Sequence, residues 1–317
     1  MKELPFPLED ALKVARMYYQ LDLTTEQIAL ELGTSRSTVS RLLSLAREQG
    51  LVEFRLHDPR GVGLDLERRL RARYPLREVR VVPLLPDADD ARRQDAVTTF
   101  AAHYLSSLVH ERSIIAVAWG ATVSALARKL IPRPLQDAQI VQMNGSGNSG
   151  HGITYAAEII AALAENFGAR STLMPIPAYF DDPATRAAMF RERLILRAQD
   201  LLARADIALY SIGVPQAGSY IYTSDYIAPQ DLEDLGAQGV VGDIATVFFR
   251  ADGSWDLEMN ARSSGPDLRA LARIPHALCL VAGARKVRAI HAALRGGLVG
   301  TLVIDAATAR ELLHLEG

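Results

Sequence analysis

Three glycine-bearing stretches hold side chains and backbone donors suited to gripping an oxygen-rich ligand. Trp119-Gly120-Ala121-Thr122 follows an apolar, strand-like run and opens a helical one. Backbone N–H groups at such a helix start, joined by the Thr122 hydroxyl, can hold a phosphate or a sugar oxygen. Gly283-Ala284-Arg285-Lys286 repeats this arrangement with clustered cations, which suit an anionic group, the alternative being an exposed surface pair. Asn144-Gly145-Ser146-Gly147-Asn148-Ser149-Gly150 formally contains G-x-G-x-x-G. A dinucleotide site would need the helix to begin among the glycines and an acid about 20 residues further on. Here His151-Gly152-Ile153 prolongs the loop and Asp181 and Asp182 come too late, which favours a polar loop enclosing some other ligand over a nicotinamide site.

A fourth cluster has a different chemistry. Thr24 and Gln27 form a capping-box pattern, Ile28, Ala29 and Leu32 give the following short helix an apolar face, and Gly33 allows a turn before Ser35 caps the next helix. In that helix Val39, Leu42, Leu43 and Ala46 recur at helical spacing and form the buried stripe. Polar residues take the other side, and no acid lies between Thr34 and Arg47. Short hydroxyl donors and arginine at the start of a second helix are what a helix-turn-helix uses to reach base edges and phosphates. The candidate DNA-contacting residues are Thr25, Ser35, Arg36, Ser37, Thr38, Ser40 and Arg41. Gly50 and an alternating run to Leu56 predict a wing beside these helices, whereas a three-helix bundle with a polar face is the plainer alternative.

These residues need two kinds of scaffold. The length of 317 residues predicts two unequal domains: a helical one over 1–57, a hinge over 58–79 and a larger domain over 80–317. In the larger one, strand-like runs (114–118, 140–143, 172–177, 207–212, 278–282, 302–304) alternate with helical runs rich in Ala, Leu and Arg (121–131, 155–167, 185–205, 286–294, 306–314). The expected fold is therefore α/β: an all-α helix-turn-helix domain followed by a doubly wound, mainly parallel α/β domain with ligands at the carboxyl ends of its strands. The net charge of −2 confines any DNA contact to a local patch. The absence of a long apolar run or a signal-like start predicts a cytoplasmic protein with no membrane partner. The single cysteine, Cys279, reads as a buried strand residue, and no cofactor or metal is expected.

The run Gly33-Thr34-Ser35-Arg36-Ser37-Thr38-Val39-Ser40-Arg41-Leu42-Leu43 is similar to the helix-turn-helix core of bacterial regulators. It is followed in order by the Trp119–Thr122 turn, the Asn144–Gly150 loop, Pro175-Ile176-Pro177-Ala178 with Asp181-Asp182-Pro183, Tyr210-Ser211-Ile212-Gly213, Gly239 to Ile244, Phe248-Phe249, Asn260 to Arg262 and Val281 to Lys286. With these motifs nearly the whole chain resembles the SorC family of sugar-binding transcriptional regulators, often grouped with DeoR-type repressors. The resemblance implies a large domain like that of sugar-phosphate isomerases, used to bind a sugar or sugar-phosphate effector, and a homodimer or homotetramer on double-stranded operator DNA. It implies effector contacts at Gly120, Thr122, Gly145, Gly147, Asn148, Asp243, Arg262 and Lys286. Where one branch of the family has a Schiff-base lysine this chain has Ile153, so a non-covalent mode is expected; separately, the turn before Lys286 is one residue shorter than usual, which leaves the placement of Lys286 open. An isomerase carrying a DNA-binding appendage is the alternative.

Overall fold

The computed structural model describes residues 6–21, 23–52, 61–84, 87–146, 155–215 and 227–315. The chain divides into two compact units, Met1–Pro59 and Arg60–Gly317.

In the first unit, α1 (Leu8–Tyr19), α2 (Thr25–Glu31) and α3 (Arg36–Glu48) enclose a core of Ala11, Val14, Ala15, Ile28, Val39, Leu42, Leu43 and Ala46. The capping box forms as its spacing predicts: Gln27 N donates to Thr24 Oγ1 (3.2 Å) and Thr24 N to Gln27 Oε1 (2.9 Å). Gly33 takes the left-handed conformation (φ 61°) that the turn requires. Leu51 and Val52 pack against the same core, and the rest of the expected wing, from Glu53, lies outside the described residues.

The second unit begins earlier than expected. Helix α4 (Val62–Arg73), inside the stretch read as a hinge, is followed by β1 (Glu78–Val82). Leu66, Leu70 and Tyr74 are buried in the same core as Val79 and Val81. Glu67 accepts a hydrogen bond from Val81 N (2.9 Å), and Arg73 donates to the carbonyl of Leu313 (2.8 Å) near the end of the last helix. A helix tied down in this way is part of the large fold, so the boundary expected at residue 80 moves back to about 60.

Seven strands form one parallel sheet in the order β1, β10 (Thr301–Asp305), β9 (His276–Val281), β5 (Ile207–Tyr210), β2 (Ile114–Val117), β3 (Gln139–Gln142), β4 (Arg170–Thr172). One face is covered by α5 (Asp90–Leu108), α6 (Ala121–Ala127) and α7 (Tyr155–Phe167), with Val97, Leu105, Val123, Leu126, Ile159 and Phe167 in its core. The other face carries α4, α9 (Arg193–Ala203), α10 (Leu268–Arg273), α11 (Val287–Arg295) and α12 (Ala306–His314). Strand order reverses between β2 and β5. From β2 the chain steps outward through β3 to β4, and from β5 it steps the other way to β9 and β10. Such a reversal leaves a crevice beyond the carboxyl ends of the two strands.

Three features depart from the periodicity. The run expected as a strand over 172–177 pairs only as far as Thr172, since Pro175 and Pro177 have no N–H to offer a ladder. The long helix expected over 185–205 is broken into α8 (Pro183–Met189) and α9. A separate antiparallel sheet of β6 (Ile212–Gly213), β7 (Val240–Ile244) and β8 (Val247–Arg250) lies outside the parallel order. The β7–β8 turn is Ala245-Thr246, both with positive φ (47° and 70°). Hairpin turns of this shape normally advertise themselves with Asn or Gly, and this one does not.

We predict that residues 61–317 fold alone, whereas residues 80–317, lacking Leu66, Leu70 and Tyr74, are much less stable. Burial of each such side chain contributes roughly 1.5–3 kcal/mol. Urea denaturation followed by circular dichroism compares the two, and equal midpoints would return the boundary to residue 80.

Candidate functional site

At the reversal point lies a cavity of about 180 Å³. The β2–α6 turn contributes Trp119, Gly120 and Thr122; the end of β3, Asn144; the step from β5 to β6, Ser211 and Gly213; the β7–β8 hairpin, Asp243 and Thr246; the turn after β9, Lys286. Residues far apart in sequence meet here because parallel strands all deliver their carboxyl ends to one edge.

Each wall has a local cause. Gly120 has φ 145°, a conformation that L side chains rarely adopt, and it sends the chain from β2 directly into α6. Gly213 leaves room for a carboxyl: a Cβ there would lie 2.0 Å from Asp243 Oδ1. The Lys286 turn is held from behind, where Gly283 N donates to Thr308 Oγ1 (2.9 Å) and Thr308 Oγ1 donates to the fully buried Asp305 (2.5 Å). Lys286 turns its Nζ inward to donate to Ser211 Oγ (3.3 Å), which in turn donates to the carbonyl of Leu280 (2.7 Å).

Burial dominates the electrostatics. It raises the Asp243 carboxyl to about 6, against the lowering effect of the Thr246 backbone N–H and of Lys286. It lowers the Lys286 ammonium below the usual lysine range, against Cys279 and Asp243, which raise it. A carboxyl and an ammonium lining one cavity can accept from ligand hydroxyls and attract an anionic group, respectively.

Of the effector residues expected from the sequence, Gly120, Thr122, Asp243 and Lys286 line this cavity. Gly145 lies just behind it: its N–H donates to Ser264 Oγ (2.9 Å), its carbonyl accepts from Trp119 Nε1 (2.8 Å), and a Cβ would come 2.3 Å from the carbonyl oxygen of Pro177. Its glycine identity thus serves a close backbone crossing. Gly147, Asn148 and Ile153 lie outside the described residues. Arg262 is not brought to the cavity; its guanidinium donates to the carbonyl of Phe180 (2.7 Å) and pairs with Asp231 (3.5 Å). Its place near Ser263 makes it part of the frame behind the hairpin. Ser211, Asn144 and Thr246 join the cavity beyond the expected effector residues; the first two sit in the Tyr210–Gly213 and Asn144–Gly150 motifs, directly after apolar strands, while nothing in the sequence marks Thr246.

In the helical unit, Arg36, Ser37, Ser40 and Arg41 are exposed along one side of α3, and neither Arg36 nor Arg41 has a hydrogen bond or ion pair among the described residues. Thr25 and Thr38 are half-buried. Ser35 uses its hydroxyl locally, accepting from Thr38 N (3.1 Å) and lying 2.7 Å from Ser37 Oγ and 2.9 Å from Thr38 Oγ1, so its first duty is the cap.

The raised Asp243 carboxyl has a consequence for stability. Its folded-state value lies above the ordinary 3.8, so the proton favours the folded chain and stability falls as pH rises through about 6. Asp243→Asn should stabilise the ligand-free protein by roughly 3 kcal/mol at pH 8, with the gain shrinking below pH 6 and vanishing near pH 4. Denaturation midpoints of both proteins across that range check this; a gain independent of pH would contradict a buried ionised carboxyl.

Residues 61–314 match the family described as "Putative sugar-binding domain", and residues 8–73 match the Crp-like helix-turn-helix domain. The chain is 33% identical over 305 residues to the deoxyribonucleoside regulator of Bacillus subtilis, covering 96% of this chain and 97% of that one. It is 31% identical over 311 residues to the transcriptional regulator LsrR of Escherichia coli, covering 96% and 95%. The crystal structure of the full-length sorbitol operon regulator SorC from Klebsiella pneumoniae superposes with a TM-score of 0.73 at 26% identity, over 98% of this chain and 100% of that one. These relatives are regulators rather than enzymes, and the likeness runs through both units, so the chain is a DNA-binding transcriptional regulator belonging to the SorC family of sugar-binding transcriptional regulators.

Proposed function

We propose that the cavity at the carboxyl ends of β2 and β5 binds a sugar phosphate, or a sugar of similar size, without a covalent bond, and that its occupancy controls how the helical unit binds operator DNA. The observation that carries this reading is the meeting of Lys286 and Asp243 in one small cavity at the strand-order reversal. Lysine acts there as a point charge for phosphate, while the carboxyl and Thr122 offer partners for hydroxyls. The volume suits a small sugar derivative. Gly120, Thr122, Asp243 and Lys286 are the proposed contacts, with Gly147 and Asn148 from the adjoining loop; Arg262 is proposed as a frame residue instead.

Operator reading is assigned to α3, with Arg36 and Arg41 as the charged contacts, Ser37, Thr38 and Ser40 as short donors, and Ser35 and Thr25 near the phosphates. A homodimer or homotetramer is proposed because paired recognition helices match a two-fold operator. A cytoplasmic site of action is proposed because the chain is similar to transcriptional regulators; among the described residues no helix is long and apolar enough to cross a membrane.

Two measurements test the reading. Lys286→Ala should weaken binding of a phosphorylated effector more than that of its unphosphorylated parent, with operator affinity in the absence of effector nearly unchanged; calorimetry on both ligands decides, and equal losses would point to a neutral sugar. Arg41→Ala should cost about 1–3 kcal/mol of discrimination if the guanidinium holds a base edge, or lower affinity evenly across sequences if it holds a phosphate. An Arg36→Ala, Arg41→Ala protein that stays folded and keeps full operator affinity in fluorescence anisotropy would remove α3 from the interface.

A further inference from the structure

We propose that Asn144 reads a hydroxyl group of the effector and that Thr246 fixes the orientation in which it does so. This rests on the reading of the cavity as a sugar-phosphate site and adds a selectivity determinant to it. An asparagine amide can present either a donor or an acceptor to a ligand, and its neighbours decide which. Thr246 Oγ1 donates to the carbonyl of Ala245 (2.5 Å), so its hydrogen is committed and it can offer Asn144 only lone pairs. Asn144 therefore turns Nδ2 toward Thr246 Oγ1 (3.4 Å) and Oδ1 away from it. The backbone is fixed as well, since Gln142 Nε2 donates to the Asn144 carbonyl (2.7 Å).

The result is an acceptor with no donor among the described residues. Asn144 is 1% exposed, it lines the cavity, and its Oδ1 has no hydrogen-bond partner among the described residues. The ammonium of Lys286 is directed to Ser211. A buried acceptor left without a donor is costly, and a ligand that brings a hydroxyl hydrogen recovers that cost whereas a deoxy carbon at the same place does not. Thr246 owes its own position to the unusual turn: Tyr179 OH (2.6 Å) and Ser263 Oγ (2.7 Å) both donate to its carbonyl and hold it at φ 70°. The hairpin thereby fixes which end of the Asn144 amide meets Thr246 and leaves Oδ1 as the end without a donor among the described residues.

Calorimetry on the full chain with inorganic phosphate, ribose 5-phosphate, glucose 6-phosphate and the monodeoxy analogues of the two sugars tests the assignment. In the parent protein at least one hydroxylated sugar phosphate should bind about 5- to 150-fold more tightly than one of its deoxy analogues, and Asn144→Ala should bring that pair to within about two-fold. Binding of inorganic phosphate should stay unchanged in that variant. Thr246→Ala should narrow the preference while Thr246→Ser, which keeps the hydroxyl, should preserve it. A preference that survives Asn144→Ala, or an equal loss of phosphate and sugar phosphates, overturns the role of Asn144 and leaves the anion site standing. Binding of phosphate without any of the sugar phosphates overturns it too, and failure of every probe to bind would remove the reading of the cavity itself.

Discussion

The reversal of strand order between β2 and β5 is the constraint on which the rest of the large unit depends. Parallel strands whose connections all lay on one face would be closed over at their carboxyl ends. Here the chain leaves β2 toward α6 and leaves β5 toward a small antiparallel sheet, and the gap between the two exits is the cavity. Everything else fits around that gap. Gly120 makes the first exit tight, Gly213 makes room for a carboxyl at the second, and the Asp305–Thr308 pair presses the Lys286 turn into place from the neighbouring crossover.

A polar cavity in such a place carries an energetic burden. Asp243 and Lys286 are each desolvated, with the effect that the carboxyl holds its proton more firmly and the ammonium less firmly than in water. Asn144 lines the same cavity, and its buried Oδ1 is an acceptor that no described residue satisfies. Arrangements of this kind weaken the empty protein and strengthen the occupied one, since a ligand that binds only the folded state stabilises it in proportion to how far its concentration exceeds its dissociation constant. The cavity therefore has the energetic character of a sensor.

Much of this was legible in the residues. Apolar runs separated by helical stretches announced a parallel sheet, and the glycine turns after β2 and β9 announced two of the cavity walls, because a parallel strand followed by a tight turn has one place to deliver its next residues. The helix-turn-helix was equally plain from its cap, its glycine and its apolar spacing. What stayed hidden was whatever depended on contacts between distant segments. Helix α4 looks like a solvated arginine-rich stretch until Leu66, Leu70 and Tyr74 meet β1. Arg262 has the chemistry of an anion ligand, yet Asp231 and the Phe180 carbonyl claim it. The Ala245-Thr246 turn carries no residue that signals a hairpin, because its shape is imposed by Tyr179 and Ser263 and not by its own preferences.

Cys279, in the interior strand β9, is fully buried, and that burial pushes its thiol up to about 12, against the lowering effect of Lys286. A thiol so protonated and so enclosed is inert toward alkylating probes. As the only cysteine in the chain, it leaves the folded surface blank to thiol reagents. A dye or spin label attached through a cysteine introduced on the exposed side of α3 would report from that position alone, with the native thiol left in place to pack the sheet.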